Sequence, residues 1–295
     1  MIDTPLPSLR AWTQAFTDAE IPVLPGSVAE LNQLKAIEEA NGSMDAHTLA
    51  ESFCNDPLMT LKVLVHVART CTRQQTEPPE TLVGSIVMQG IGPFFRAYDQ
   101  TPNILDWLRS TPEALSGLLK VITRARRASN FAMSFALHRQ DEDVMVVQEA
   151  ALLHDFAEML LWCHAPKLAI EMARRLKADF RVRSADIQNE VLGIELGDLG
   201  QALMHQWRLP ELLIQATDDH TAHHPKVRSV MLAVRIARHT QYGWDDPHAQ
   251  ASLPDDIAEV AQLLTMSHDA TRRLIEGLDS VPESGSPTPP PPQDQ

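Results

Sequence analysis

The stretch AALLHDFAEMLLW, residues 150–162, sets a histidine and an aspartate side by side, His154 and Asp155, inside an apolar run. It falls in a longer segment, 143–164, that carries helical spacing. On a helix, neighbouring side chains diverge by about 100°, so the pair alone makes a poor chelate. A metal held here would need ligands from other helices. The pair is therefore either part of a shared metal site or a polar remnant in a helical core, where buried polar groups must find partners.

Outward from this run, apolar residues keep recurring at three and four. In LPGSVAELNQLKAIEEA (24–40), Val28, Leu31, Leu34 and Ile37 form one stripe, with Pro25 as a start signal. In SMDAHTLAESFCNDPLMTLKVLVHVART (43–70), Ser43 or Asp45 can cap a helix through Leu49 and Phe53. Pro57 then opens the next helix, with Leu58, Leu61, Leu64, Val65 and Ala68 turned inward. PETLVGSIVMQGIGPFFRAY (79–98) predicts a short helix, a turn at Gly90–Gly92 and a helix started by Pro93. Further helices are expected over 113–138, 143–164, 166–178, 184–193, 197–207, 210–217, 226–240 and 255–278. Glycine is scarce, at 12, and β-branched alternation is rare, so the fold class expected is all-α. The tail VPESGSPTPPPPQDQ (281–295) has too little apolar surface to offset the entropy of ordering it and is expected to be disordered.

A chain of 295 residues suits one large or two smaller domains, and 44% hydrophobic residues fit a globular protein. No apolar stretch approaches the roughly 18–20 residues needed to cross a bilayer. The N-terminal MIDTPLPSLRAW has Asp3 before any basic residue and no apolar core, so a cytoplasmic protein without membrane partners is expected. Cys54, Cys71 and Cys163 are far apart with no C-x-x-C, which argues against a disulfide framework or a cysteine zinc site. A net charge of −14 repels a phosphate backbone, so nucleic acid is not an expected partner. The local exceptions are Arg124, Arg126 and Arg127, and the set Arg174, Arg175, Lys177, Arg181 and Arg183, both on helix-period segments and read as solvated faces.

Nucleophilic chemistry finds no support. Ser85 lacks a G-x-S-x-G elbow, and the neighbours Cys163 and His164 lack partners from separate elements. The cluster His220, His223 and His224 ends at Pro225 and reads as a polar loop; His66 lies near an apolar stripe and reads as a core or edge histidine.

Five pieces, taken in order, resemble the HDOD (HD-related output domain) family: IPVLPGSVAELNQL (21–34), LAESFCNDPLMTLKVLVHVA (49–68) with its Asp56-Pro57 step, VGSIVMQGIGPFF (83–95), EAALLHDFAEMLL (149–161) and ALMHQWRLPELLIQATDDH (202–220). The resemblance covers about 21–240. It implies an N-terminal helical lobe packed on a lobe similar to the HD metal-dependent phosphohydrolases, a place in bacterial signalling, and no general catalytic activity. The parent hydrolases use an H…HD…D set around divalent metal, which lowers the pKa of an attacking water. Here the position matching the first histidine is Ala128, the late aspartate is matched by Val234, and a histidine frequent in HDOD relatives is matched by Leu196. Ala157-Glu158 stand where Gly-Lys commonly follows the pair, and Ala68-Arg69 replace a frequent Asn-Ser.

The resulting expectations are an N-terminal extension over 1–20, lobes over 21–112 and 113–280, no cofactor, and a vestigial HD site of His154, Asp155 and His220. Arg127 and Ser129 are its expected polar partners, with an Arg127–Asp155 ion pair. The function implied is a non-catalytic regulatory module that binds a signalling protein or a small regulatory ligand. The alternative is a divergent phosphohydrolase with a metal site rebuilt from His154, Asp155, His220 and either Asp218 or Asp219. A weaker third reading is nucleotide binding through Arg124–Arg127.

Overall fold

Polar caps and prolines set where the helices begin. The computed structural model describes residues 1–178, 182–221 and 224–279; the expected tail at 281–295 lies outside them. The first part of the chain forms α1 (Leu9–Thr17), α2 (Pro25–Asn41), α3 (Ala46–Phe53), α4 (Pro57–Gln74), α5 (Leu82–Gln89), α6 (Ile91–Tyr98) and α7 (Ile104–Trp107). The second part forms α8 (Pro112–His138), α9 (Val144–Leu153), α10 (Phe156–His164), α11 (Pro166–Ala178), α12 (Ser184–Leu192), α13 (Leu196–Trp207) and α14 (Glu211–Ala216). A one-turn 3-10 helix, Asp219–Thr221, then leads to α15 (Pro225–His239), α16 (Pro247–Leu264) and α17 (His268–Asp279). Among the described residues the only β pairing is an isolated bridge between Val23 and Asn103, so the fold is all-α.

One carboxylate organises the start of this assembly. Asp56 Oδ1 accepts from the N–H groups of Leu58 (2.9 Å) and Met59 (3.1 Å), which caps α4. Its Oδ2 accepts from the Leu24 N–H (2.9 Å) and the Ser27 hydroxyl (2.6 Å) at the start of α2. The Asp-Pro step thus serves two helix ends with one buried side chain. Asp56→Ala strips the cap and leaves four donors, three of them on buried residues, without an acceptor. The expected cost is about 2 kcal/mol, seen as a lower urea midpoint with an unchanged slope.

Two large apolar clusters fill the interior, beside a third, small one of Ala249, Leu253 and Ile257. The smaller is drawn from Val23 to Tyr98 and includes Phe53, Phe94 and Ile86. The larger centres on α8, the longest helix, which packs against α9 and α15. Gly117 lets α8 approach α10 closely, because a Cβ there would lie 2.4 Å from the Trp162 ring.

Several expected boundaries shift. The segment 143–164 is two helices, α9 and α10, joined at His154-Asp155. The segment 255–278 is also two, and the first begins at Pro247; Thr265 takes a left-handed φ of 56° and Ser267 caps α17. Gly90, at φ 80°, makes the turn before α6 alone, so that helix begins at Ile91, ahead of Pro93. Residues 1–20, expected only as an N-terminal extension, contain the helix α1. Trp12 and Phe16 of α1 are buried, the Trp12 indole donates to Leu192 O (3.2 Å), and the Trp207 indole donates to Thr17 O (2.9 Å).

Candidate functional site

The junction between α9 and α10 places the His-Asp pair where α8, α15 and the Asp219–Thr221 turn converge. Breaking the helix removes the divergence of neighbouring side chains. His154 Nδ1 lies 3.0 Å from Asp155 Oδ1, and His154 Nε2 lies 3.0 Å from Asp219 Oδ1. Arg124, from α8, donates to Asp155 Oδ2 through Nε (3.0 Å) and Nη2 (2.7 Å), and the same Nη2 reaches Glu158 Oε2 at 2.7 Å. Arg238, from α15, donates to Asp155 Oδ1. The inner part of this network is secluded, with the side chains of Asp155, His154 and Arg124 only 7%, 9% and 11% exposed.

Charge sets the protonation state. Burial pushes the His154 imidazole toward neutrality, but the hydrogen bonds and charges of Asp155 and Asp219 outweigh it and lift its pKa to about 9. At neutral pH the ring is an imidazolium and both its N–H groups donate to carboxylates. Burial also opposes ionisation of Asp155, yet the Arg238 and Arg124 guanidiniums and His154 hold its pKa well below the ordinary value. Asp219 follows the same pattern, with burial outweighed chiefly by His154. Three cations (Arg124, Arg238, His154) therefore face three carboxylates (Asp155, Asp219, Glu158).

The expected partners are corrected by this geometry. Arg127 does not pair with Asp155; its guanidinium holds Asp279 (Nε to Oδ1, 2.7 Å; Nη2 to Oδ2, 2.8 Å), Thr240 Oγ1 and Ala237 O. Arg127 follows Arg124 by three residues and is turned about 60° away from it on the helix, toward α17. Ser129 is buried but makes no hydrogen bond to the pair among the described residues. His220 is 85% exposed and points to Asp198, 4.0 Å away, so the turn contributes Asp219 in its place.

Two residues of the network, Arg124 and Arg238, are not among the expected partners of the pair, and Asp219 is expected only as an alternative metal ligand beside it. A positional signal existed for the arginines. Arg124 precedes Ala128 by four residues and Arg238 follows Val234 by four, so each stands one turn from a missing ligand on the same helix face.

This donor set does not fit a resident divalent metal. Both ring nitrogens of His154 and both oxygens of Asp155 are taken by protein groups, and two guanidiniums already lie against the carboxylate. Buried Ala128, Leu196 and Val234 supply no donor atoms. Among the described residues no three His, Cys, Asp or Glu side chains converge as ligands.

The other candidates resolve simply. Arg126 donates to Asn55 O (2.6 Å), so the Arg124–Arg127 group is tied into the fold and does not form a free cationic patch. Arg174 and Arg175 pair with Glu171, while Arg181 and His223 lie outside the described residues. His224 caps α15 by accepting from the Lys226 N–H (3.4 Å). His66 sits edge-on to Tyr98 at 5.7 Å between ring centroids, and all three cysteines are free.

A wholly helical fold with an adjacent His-Asp pair at a helix junction defines an HD-related domain. The chain belongs to the HDOD family, whose domain model matches residues 21–223. Among solved structures it resembles the MmoQ response regulator of Methylococcus capsulatus, with 18% identity over 88% of this chain and 99% of that one and a TM-score of 0.66. It also resembles a virulence factor of Campylobacter jejuni, with 20% identity over 92% of this chain and 96% of that one and a TM-score of 0.62. At these identities the likeness is one of fold. No curated protein matches the chain in sequence.

Among the described residues no helix is long and apolar enough to cross a membrane.

Proposed function

We propose that this chain is a non-catalytic regulatory module that acts by binding a signalling protein or a small regulatory ligand, with His154 and Asp155 kept as a metal-free structural remnant. The observation that carries this reading is the engagement of every polar atom of the pair by Arg124, Arg238 and Asp219 or by each other. A hydrolytic water needs a metal with an open position, and neither His154 nor Asp155 has a side-chain donor atom free to bind one. HDOD membership and the fold shared with a protein described as a response regulator favour a signalling role. Within this reading the chain divides into an extension over 1–20, lobes over 21–112 and 113–280 and a Pro-rich tail over 281–295. It works in the cytoplasm and does not bind nucleic acid, in keeping with its charge of −14.

Elemental analysis tests it. Protein purified without a histidine tag and dialysed against metal-free buffer is expected to carry less than about a tenth of an equivalent of transition metal. Near one equivalent, lost in His154→Ala, would favour the second reading, a divergent metal-dependent phosphohydrolase. One observation supports that alternative: Asp219 reaches the pair as a third potential ligand.

A further inference from the structure

We infer that Arg238, backed by Arg124, is a tethered replacement for a divalent cation: it does the structural work of a metal by holding α15 to the α9–α10 junction, from which His154 reaches the Asp219 turn, and it keeps a metal out. The inference rests on the metal-free reading above and extends it to what took the metal's place.

Four observations carry it. First, the positive charge comes from the two helices whose expected ligand positions are Ala128 and Val234, and each arginine stands one helical turn from the lost ligand. Second, the arginines divide the carboxylate between them, Arg124 on Oδ2 and Arg238 on Oδ1, so Asp155 has an inner and an outer cation. Arg124 is secluded and shared with Glu158, while the Arg238 side chain is 47% exposed at the mouth. Third, the charge of Arg238 favours the ionised form of Asp219 as well as of Asp155, while its guanidinium bonds Asp155 and Asp219 is held directly by His154. Fourth, His154 Nε2 and Asp219 Oδ1 are 3.0 Å apart, about the separation of two donors placed at right angles roughly 2.1 Å from one cation. With the arginines present these donors aim at each other and at guanidinium groups, so they do not converge on a common point.

The consequence is a testable exchange of one cation for another. A guanidinium on α15 is covalently attached, so its local concentration exceeds that of any free ion, and a metal must displace it to enter. Removing the guanidinium leaves carboxylates facing the opening, and a free divalent ion can then stabilise the folded state by mass action.

The experiment measures thermal midpoints of the full chain during a manganese(II) chloride titration. The set comprises the parent protein, Arg238→Ala, Arg238→Lys and the double variant Arg238→Ala/Asp219→Asn. Arg238→Ala is expected to lose at least about 3 °C, with Arg238→Lys close to the parent, because charge rather than shape is what matters. Manganese is expected to raise the midpoint of Arg238→Ala saturably, to leave the parent unmoved, and to act at least about ten-fold more weakly on the double variant. An Arg238→Ala protein that folds only with manganese, beside a Lys variant that folds without it, supports the inference equally. The inference is overturned if Arg238→Ala matches the parent's midpoint, if manganese shifts no variant, or if neither Ala nor Lys folds under any condition. Saturable stabilisation of the parent itself would instead overturn the metal-free reading, and with it the role given to Arg238.

Discussion

Asp155→Asn is expected to lower the thermal midpoint by about 10 °C. The side chain is 7% exposed in the fold and its carboxylate accepts from Arg124, Arg238 and His154. Asparagine keeps the volume, so no cavity opens and the effect is electrostatic. What it leaves is a guanidinium of 11% exposure and a protonated imidazole with one carboxylate fewer to balance them. Removing one member of a buried ion pair costs about 3–5 kcal/mol because the remaining charge stays desolvated. For a chain of this length each kcal/mol moves the midpoint by roughly 2–4 °C. Arg238 tempers the loss, since its partly exposed side chain can turn to water. A second substitution sharpens the test: Asp155→Asn combined with Arg124→Met removes the stranded charge and is expected to recover much of the loss. Differential scanning calorimetry distinguishes these outcomes. A midpoint shift under about 2 °C in the single variant would mean that the network contributes little to holding the helices together.

That network shows what the sequence could and could not convey. Helical periodicity is local, so the sequence predicts 113–138 against an observed Pro112–His138 for α8, and the Asp56-Pro57 step marks the start of α4. The break at His154-Asp155 was not legible, because the residues on both sides continue the apolar helical pattern and only contacts from α8 and α15 explain the bend. The same holds for α1, where Trp12 and Phe16 acquire meaning only from α12 and α13 lying over them. At the site, the residue types were legible and the pairings were not. Arg127 is the partner that sequence position suggests because it adjoins the lost ligand position at Ala128, but one position along a helix turns a side chain by about 100°, while four return it to the same face. His220 and Asp219 are neighbours in a turn whose conformation decides which of them faces inward, and spacing alone carries no such information.

Folding stability is expected to fall steadily as pH rises from about 5 to about 9, in contrast to the usual maximum between about pH 5 and 8. Two buried groups produce the slope. His154 has an ordinary value of 6.5 and a folded value of about 9, so its contribution is complete below 6.5 and is lost as pH climbs through 9. That difference corresponds to about 3 kcal/mol. Glu149, on α9, is buried with the Leu82 N–H as its hydrogen-bond donor, at 2.9 and 3.2 Å from its two oxygens. Burial pushes its pKa from 4.5 up to about 8, and the Leu82 N–H offsets only part of that. The folded chain therefore keeps the Glu149 proton where the unfolded chain releases it, so this group also weakens the fold as pH rises, over the window from 4.5 to 8. Below about pH 4 the slope reverses, since Asp155 and Asp219 have depressed pKa values and must be protonated against the arginines and His154. Urea midpoints measured across this range separate the contributions. Glu149→Gln is expected to flatten the curve between about pH 5 and 6.5 while leaving the decline from there to about 9, and His154→Gln is expected to keep the decline from about pH 5 to 8 and flatten the curve above it, at a lower overall stability. A curve for the parent that is flat from pH 5 to 9 would mean that neither group is held in the protonation state its surroundings favour, and that the imidazolium drawn between Asp155 and Asp219 is a neutral ring.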